Sequence, residues 1–203
     1  MKHELVLATR NKGKVAEVER LLKVHAPNVL LRSVAEFDLA DVEETGDTFE
    51  ANAILKALTI AKETGLPALA DDSGISIDAL GGAPGVYSAR WAGKHGDDLA
   101  NIEKVIRELV DVPDSKRGAA FVCVIALALP NGKTFTVRGE LRGMVRHAPS
   151  GSEGFGYDPI FQPDGYQITT AEMSPEEKDS ISHRGIALRK IAPEIQPFLS
   201  GDK

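Results

Sequence analysis

The 203-residue chain reads as an α/β protein built on a mixed β-sheet. Three features say so. The N-terminal "HELVLAT" is a short apolar strand that passes through a polar loop, "RNKGK", into a segment where Val15, Val18, Leu21 and Leu22 recur at helical spacing. Further helical-period segments alternate with apolar strands along the first half. The second half holds two long strand-like runs, "AAFVCVIALAL" and "TFTVRGELRGMV", on either side of "PNGK", whose Asn-Gly pair signals a hairpin. Strand and helix alternation followed by an antiparallel hairpin predicts a mixed sheet rather than a uniform βαβ winding.

Taken in order, "VLLRSV" predicts a second strand, and "EETGDTF" supplies turn and capping residues before a long helix over about Thr48 to Glu63. Phe49, Ala53, Ala57 and Ile60 form its apolar stripe, widened by Ile54, Leu58 and Ala61, with Asn52 and Lys56 one turn apart on the other side. "LPALA" and "GISIDAL" read as strands flanking "DDSG", where Ser73-Gly74 breaks the chain. "GGAPGVYSARWAG" reads as a glycine-rich loop in which Tyr87 and Trp91 are packing residues. Asp97 or Asp98 caps a helix through about Leu109, with Ile102, Val105, Ile106 and Leu109 on its apolar face. After the hairpin, Phe135, Val137, Leu141 and Val145 alternate with Thr136, Arg138, Glu140 and Arg142, as a half-buried strand requires. "PSGSEGFGYDPIF" is a glycine-rich segment with two kinds of aromatic, and Ser174 or Ser182 begins a helix in "MSPEEKDSISHRGIALRKI".

Composition limits the function classes. A net charge of −6 argues against a broad basic surface for a nucleic-acid polymer, because duplex binding depends on many Lys and Arg contacts to phosphate. The single cysteine, Cys123, lies in an apolar run, so no internal disulfide forms and a buried, reduced thiol in a cytoplasmic protein is expected. The longest apolar run, Ala119 to Leu129, is about half of the roughly 20 residues a membrane-spanning helix needs. The chain therefore reads as one soluble domain over 1–203 without a membrane partner.

Three groups of residues could carry chemistry. Glu43, Glu44, Asp71 and Asp72 sit on loops and strand ends, and a hard cation such as Mg²⁺ takes one or two carboxylates together with phosphates and waters, so Glu44 and Asp72 suffice for it. Neighbours on a strand point to opposite faces, so Asp71 and Asp72 need not share one ligand; solvated turns explain both acidic pairs equally well on spacing alone. Arg10, Lys12 and Lys14 open a helix whose free N–H groups and dipole favour phosphate, although "TRNKGK" lacks the Walker pattern. Lys56, Lys178, His183 and Arg184 extend the basic set, and a cationic first turn at His183-Arg184 opposes the helix dipole unless an anion offsets it. Phe155 and Tyr157 lie among glycines that let a flat base approach and stack. Together these groups suit a Mg²⁺-nucleotide.

The strings "ATRNKGK", "EETGDTFEANAILKA", "ADDSGISIDALGGAPGVYSARWAG", "GFGYDPIF" and "EEKDSISHRGIAL" resemble the inosine triphosphate pyrophosphatase family, also called the HAM1 family, in order from Leu5 to about Leu188. The resemblance implies an elongated mixed sheet with flanking helices in two lobes around a central cleft, a homodimer, and Mg²⁺-dependent hydrolysis of ITP, dITP and XTP to the monophosphate and pyrophosphate. It implies a phosphate-binding segment at Thr9, Arg10, Asn11, Lys12, Gly13 and Lys14, where Arg10 replaces a frequent glycine. Glu44 and Asp72 match the metal-side carboxylates, Asp72 also the general base, Ser73 a substrate contact, Asp71 a supporting acid for metal-bound water and Lys56 a phosphate contact. Phe155, Gly156, Tyr157 and Asp158 match the base-binding segment, and Lys178, His183 and Arg184 the base and phosphate contacts near the C-terminus. Two rival readings are a Maf-type pyrophosphatase of other base specificity, whose motifs differ from "GFGYDPIF" and "SHRG", and a nucleotide sensor without catalysis.

Overall fold

The structure is a computed structural model that describes residues 3–200. Six strands form one sheet in the order β2-β1-β3-β4-β5-β6. They are β1 (His3–Leu7), β2 (Val29–Ser33), β3 (Ala68–Ile77), β4 (Gly118–Ala128), β5 (Thr134–Val145) and β6 (Phe161–Pro163). β1 runs parallel to both β2 and β3, with Leu5 opposite Leu31 and Leu7 opposite Leu69, whereas β5 and β6 are antiparallel with Met144 opposite Gln162. The helices are α1 (Lys12–His25), α2 (Phe49–Thr64), α3 (Asp98–Glu108), α4 (Pro175–Ile181) and α5 (His183–Ser200). This is the mixed α/β sheet that the hydrophobic periodicity predicts. Among the described residues no helix is long and apolar enough to cross a membrane.

The helix ends follow from capping chemistry. The Thr48 side chain accepts from Ala51 N at the start of α2, and the helix closes at Gly65 in the left-handed conformation, φ 69°. Asp97 caps α3 through Ala100 N, and Ser174 opens α4 with a reciprocal capping box to Glu177. The "PNGK" segment makes the predicted hairpin, closed by Leu129 N donating to Lys133 O at 2.9 Å.

The chain divides into two compact units, one from Met1–Asp72, Cys123–Gly139 and Arg184–Lys203, the other from Ser73–Val122 and Glu140–His183. In the first, alternate residues of the central strands feed two cores. Leu5, Leu7, Leu69, Cys123, Ile125 and Leu127 pack with α1 and α5, while Val6, Ala68, Ala70, Val124, Ala126 and Ala128 pack with α2. Covering both faces explains why β4 is an unbroken apolar run. In the second unit Ile75, Ile77, Val105, Phe121, Tyr157 and Phe161 share a third core.

Two local expectations are corrected. The strand does not break at Ser73-Gly74: β3 is one ten-residue strand through "DDSG". Flanking pairing overrides the turn preference of Ser and Gly, and just beyond them Ile75 N donates to Ser88 Oγ at 2.9 Å. "GVYSAR" is a 3₁₀ helix rather than an irregular loop, and Tyr87 is 52% exposed under the Arg90 guanidinium instead of packing in the core. Trp91 does pack, with Lys104 Nζ 4.0 Å from its ring centre.

The single cysteine behaves as its apolar run predicts. Cys123 is fully buried, and burial, with Asp71 nearby, pushes its thiol up to about 12. A folded value above the unfolded one of about 8.5 contributes stability that is complete below pH 8.5 and is lost as pH rises towards 12. Native protein at pH 8 is therefore expected to resist a thiol reagent that labels the urea-unfolded chain within minutes; equal labelling rates would contradict the buried position.

Candidate active site

In the first unit β3 presents Asp71 and Asp72 to opposite faces of the sheet, as strand alternation demands. Asp71 follows Leu69 onto the side of α1 and α5. There its Oδ2 meets Lys14 Nζ at 3.0 Å and Arg184 Nη2 at 3.2 Å. The other arm of the Arg184 guanidinium pairs with Glu17. Asn11 caps α1 by accepting from Lys14 N at 3.0 Å, which sets Lys14 on the first turn with its side chain returned to the sheet. Burial by itself would raise Asp71, but Lys14 and Arg184 outweigh it and hold the carboxyl well below the usual range. Burial would lower Arg184, yet Asp71 and Glu17 hold it above its ordinary value. Asp71 and Arg184 thus remain charged although both are buried.

Asp72 takes the other face, with Ala70, towards α2. Lys56 Nζ lies 2.5 Å from Glu44 Oε1 and 3.6 Å from Asp72 Oδ1, so two acids far apart in sequence converge on one ammonium group. Asn52 Nδ2 donates to Asp72 Oδ2 at 3.1 Å. Burial raises Asp72 above the usual carboxylate value, and Glu44 adds to this against the pull of Lys56. Burial would depress Lys56, but Asp72, Asp71 and Glu44 reverse the shift upward.

The second unit carries a separate constellation around "GFGYD". Asp158 is buried and accepts from Phe155 N at 2.9 Å, Thr170 Oγ1 at 2.8 Å and Lys178 Nζ at 2.6 Å. Gly156 N donates to Asp98 Oδ2 at 2.7 Å. The half-buried Phe155 ring has Lys178 Nζ 5.0 Å from its centre. His183 is buried and stacks on Phe121, with ring centres 4.9 Å apart and planes at 21°.

The Ham1 family profile matches residues 5–194. The chain belongs to the Ham1 family. It is 52% identical over 196 residues to the dITP/XTP pyrophosphatase of Streptomyces avermitilis, covering 96% of this chain and 98% of the relative. It is 47% identical to the dITP/XTP pyrophosphatase of Mycobacteroides abscessus, covering 97% of each chain. Among solved structures, a HAM1 protein from Coxiella burnetii superposes with a TM-score of 0.87 at 46% identity, covering 96% of this chain and 98% of that one. The Staphylococcus aureus Ham1 protein gives 0.84 at 42% identity, covering 98% and 100%.

Within this Ham1 fold the residues singled out from sequence fall into distinct positions. Lys14, Lys56, Glu44 and Asp72 are drawn into the first unit's charge clusters. Thr9 accepts from Asn11 N at 3.2 Å, Gly13 lies in the first turn of α1, and Lys12 is exposed there. Arg10 turns away, donating to Leu39 O at 2.6 Å and pairing with Asp41. Ser73 is half-buried, the next residue along β3.

Four of these residues have their side chains engaged within the protein. Asp71, expected to support metal-bound water, points to the face opposite Glu44 and is a partner of Lys14 and Arg184. Arg184, expected as a base contact, is 1% exposed and committed to Asp71 and Glu17, which supply the anions that its helix-start position requires. Tyr157, expected beside the base, is a core side chain whose hydroxyl donates to Ser88 O at 2.8 Å. Asp158 is spent inside the protein on the loop and Lys178 rather than presented outward. Sequence reading also missed Glu17 and Asn52. The available signals were an acid between apolar α1 positions and an amide one turn before Lys56, flanked by Ala51 and Ala53.

Replacing Arg184 with Met would leave Asp71 and Glu17 buried with less compensation, at a cost of about 3–5 kcal/mol. A urea midpoint within error of the parent would refute this. Asp71 sits below its unfolded value, so its stabilisation is complete above about pH 4 and declines as pH falls further. Asp71→Asn should remove that acid-side dependence.

Proposed function

We propose that the protein hydrolyses the deaminated purine nucleotides ITP, dITP and XTP to the monophosphate and pyrophosphate, clearing them from the nucleotide pool. The relatives named dITP/XTP pyrophosphatase match along nearly the whole chain, which supports the reaction class. The observation that carries the reading is the convergence of Glu44 and Asp72 on Lys56.

The donor set fits a hard divalent cation such as Mg²⁺. Glu44 and Asp72 offer carboxylate oxygens facing one small volume, and among the described residues no group of three or more His, Cys, Asp or Glu gathers that would form an all-protein cage. A cation held by two carboxylates and completed by substrate phosphates and waters matches that donor count. When bound, it neutralises phosphate oxygens.

The protein's own groups supply the rest. Lys56 and Lys14 neutralise the triphosphate, and the N-terminus of α1, with Thr9, Asn11, Lys12 and Gly13, offers N–H groups and a favourable dipole. Asp72 accepts the proton of a water that attacks the α-phosphorus; the Pα–O bond to the β-phosphate breaks and pyrophosphate leaves with the electron pair. Its upward shift makes it a stronger base than an exposed carboxylate. In the second unit the half-buried Phe155 ring stacks on the purine, with Gly156 and Lys178 beside it and Ser73 as a further contact. His183 donates to the 6-oxo group that hypoxanthine and xanthine carry and adenine lacks; a mismatched donor pair costs about 1–3 kcal/mol. The proposal extends to a homodimer, on the family resemblance, and to a cytoplasmic location, which a lone free cysteine suits.

Turnover of ITP, dITP, XTP, GTP and ATP, with and without Mg²⁺, tests the proposal. ITP, dITP and XTP should release pyrophosphate only with the metal, whereas binding without release would make the protein a sensor. In ¹⁸O water the label should enter the monophosphate, and label confined to pyrophosphate would overturn attack at the α-phosphorus. Asp72→Asn should lower kcat by about 10²-fold or more; retained turnover would remove its role as base. His183→Ala should reduce the ITP-to-ATP preference about tenfold, and an unchanged ratio would exclude it as the selective donor.

A further inference from the structure

We infer that Asn52 is a positioning residue: its amide clamps the loop that carries Glu44 to the carboxylate of Asp72 and so sets the spacing of the two acids. The inference deepens the proposed function and rests on it for what those acids do.

Asn52 is completely buried in the first turn of α2, among the apolar neighbours Phe49 and Ala53. A buried amide at such a position is costly unless hydrogen-bonded. Here both ends are used. Oδ1 accepts from Gly46 N at 2.7 Å, two residues beyond Glu44, and Nδ2 donates to Asp72 Oδ2 at 3.1 Å. The two contacts fix the amide's direction, because turning it over would set its NH₂ against an N–H and its oxygen against a carboxylate.

The loop approaches so closely that a Cβ at Gly46 would lie 2.8 Å from Asn52 Oδ1 and 2.8 Å from Ala51 Cβ, which only glycine tolerates. One turn along α2, Lys56 bridges the same partners, meeting Glu44 Oε1 and Asp72 Oδ1. The division of labour lies at Asp72: one oxygen is held by the Asn52 amide, leaving the other towards Lys56 and Glu44. Asn52 thus sets both the rotation of the Asp72 carboxylate and the anchor of the Glu44 loop. A group that only filled space in the core would do neither.

The test uses Mn²⁺ as the probe, titrated into nucleotide-free full-length protein, with free Mn²⁺ read by electron paramagnetic resonance. Asn52→Ala should raise the Mn²⁺ Kd about tenfold or more, the size typical of losing a group that orients metal ligands. In a Glu44→Gln background the same change should raise the Kd by a clearly smaller factor than in wild type, because only the Asp72 carboxylate is then left for the amide to position. General loosening of the fold would not produce that coupling. Asn52→Ser, whose hydroxyl is too short to reach both partners, serves as the second variant and should show the same coupling. An unchanged Kd in either variant, or an equal increase with and without Glu44, would overturn the inference while leaving the metal reading intact. Wild type and Glu44→Gln binding Mn²⁺ alike would overturn both.

Discussion

A β-strand sends successive side chains to opposite faces, and the chemistry of this protein depends on that constraint at Asp71 and Asp72. Adjacent carboxylates on one surface would repel. Placed back to back across the sheet, each makes its own ion pairs, Asp71 with Lys14 and Arg184 and Asp72 with Lys56, while Lys56 also acts at longer range on Asp71 and Lys14 on Asp72. One dipeptide therefore anchors two charge clusters with different tasks. This works only because β3 continues through Ser73 and Gly74, for a turn there would release the alternation.

The Asp71 cluster joins the start of α1, the middle of β3 and the start of α5 through Lys14, Glu17 and Arg184. Buried ion pairs add little net stability compared with well-packed apolar groups, because desolvation offsets the Coulomb attraction. What this cluster does contribute is placement. It draws Lys14 to the sheet at the opening of α1, where backbone N–H groups and the dipole already favour an anion, and it supplies the negative charge that lets α5 begin with His183 and Arg184. The Asp72 cluster is organised differently, with two acids sharing one ammonium and an amide holding the remaining carboxylate oxygen.

In the second unit one carboxylate plays the comparable organising part. Asp158 gathers Phe155 N, Thr170 and Lys178, and a Cβ on Gly154, which has φ +77°, would lie 2.1 Å from its Oδ2. The short motif "GFGYD" consequently splits its aromatics: Tyr157 turns into the core, its hydroxyl on Ser88 O, while Phe155 stays half-exposed over Lys178. The acid that looked like a ligand is the reason the loop has a shape.

The elements are written in local patterns of the chain. Helical periodicity placed α1, α2 and α3, Thr48 and Asp97 marked helix starts, Asn131-Gly132 marked the hairpin, and the ordered motifs pointed to the Ham1 family. These signals are local, since capping, turn formation and amphipathic spacing act over a few residues. Which charged residues meet is settled by long-range packing. Whether Lys56 and Asn52 are solvated or buried, whether Arg184 faces a ligand or Asp71, and whether "DDSG" turns or continues all depend on segments far apart in sequence. A side chain's ionic partners and burial are properties of the packed chain, and its local sequence does not contain them.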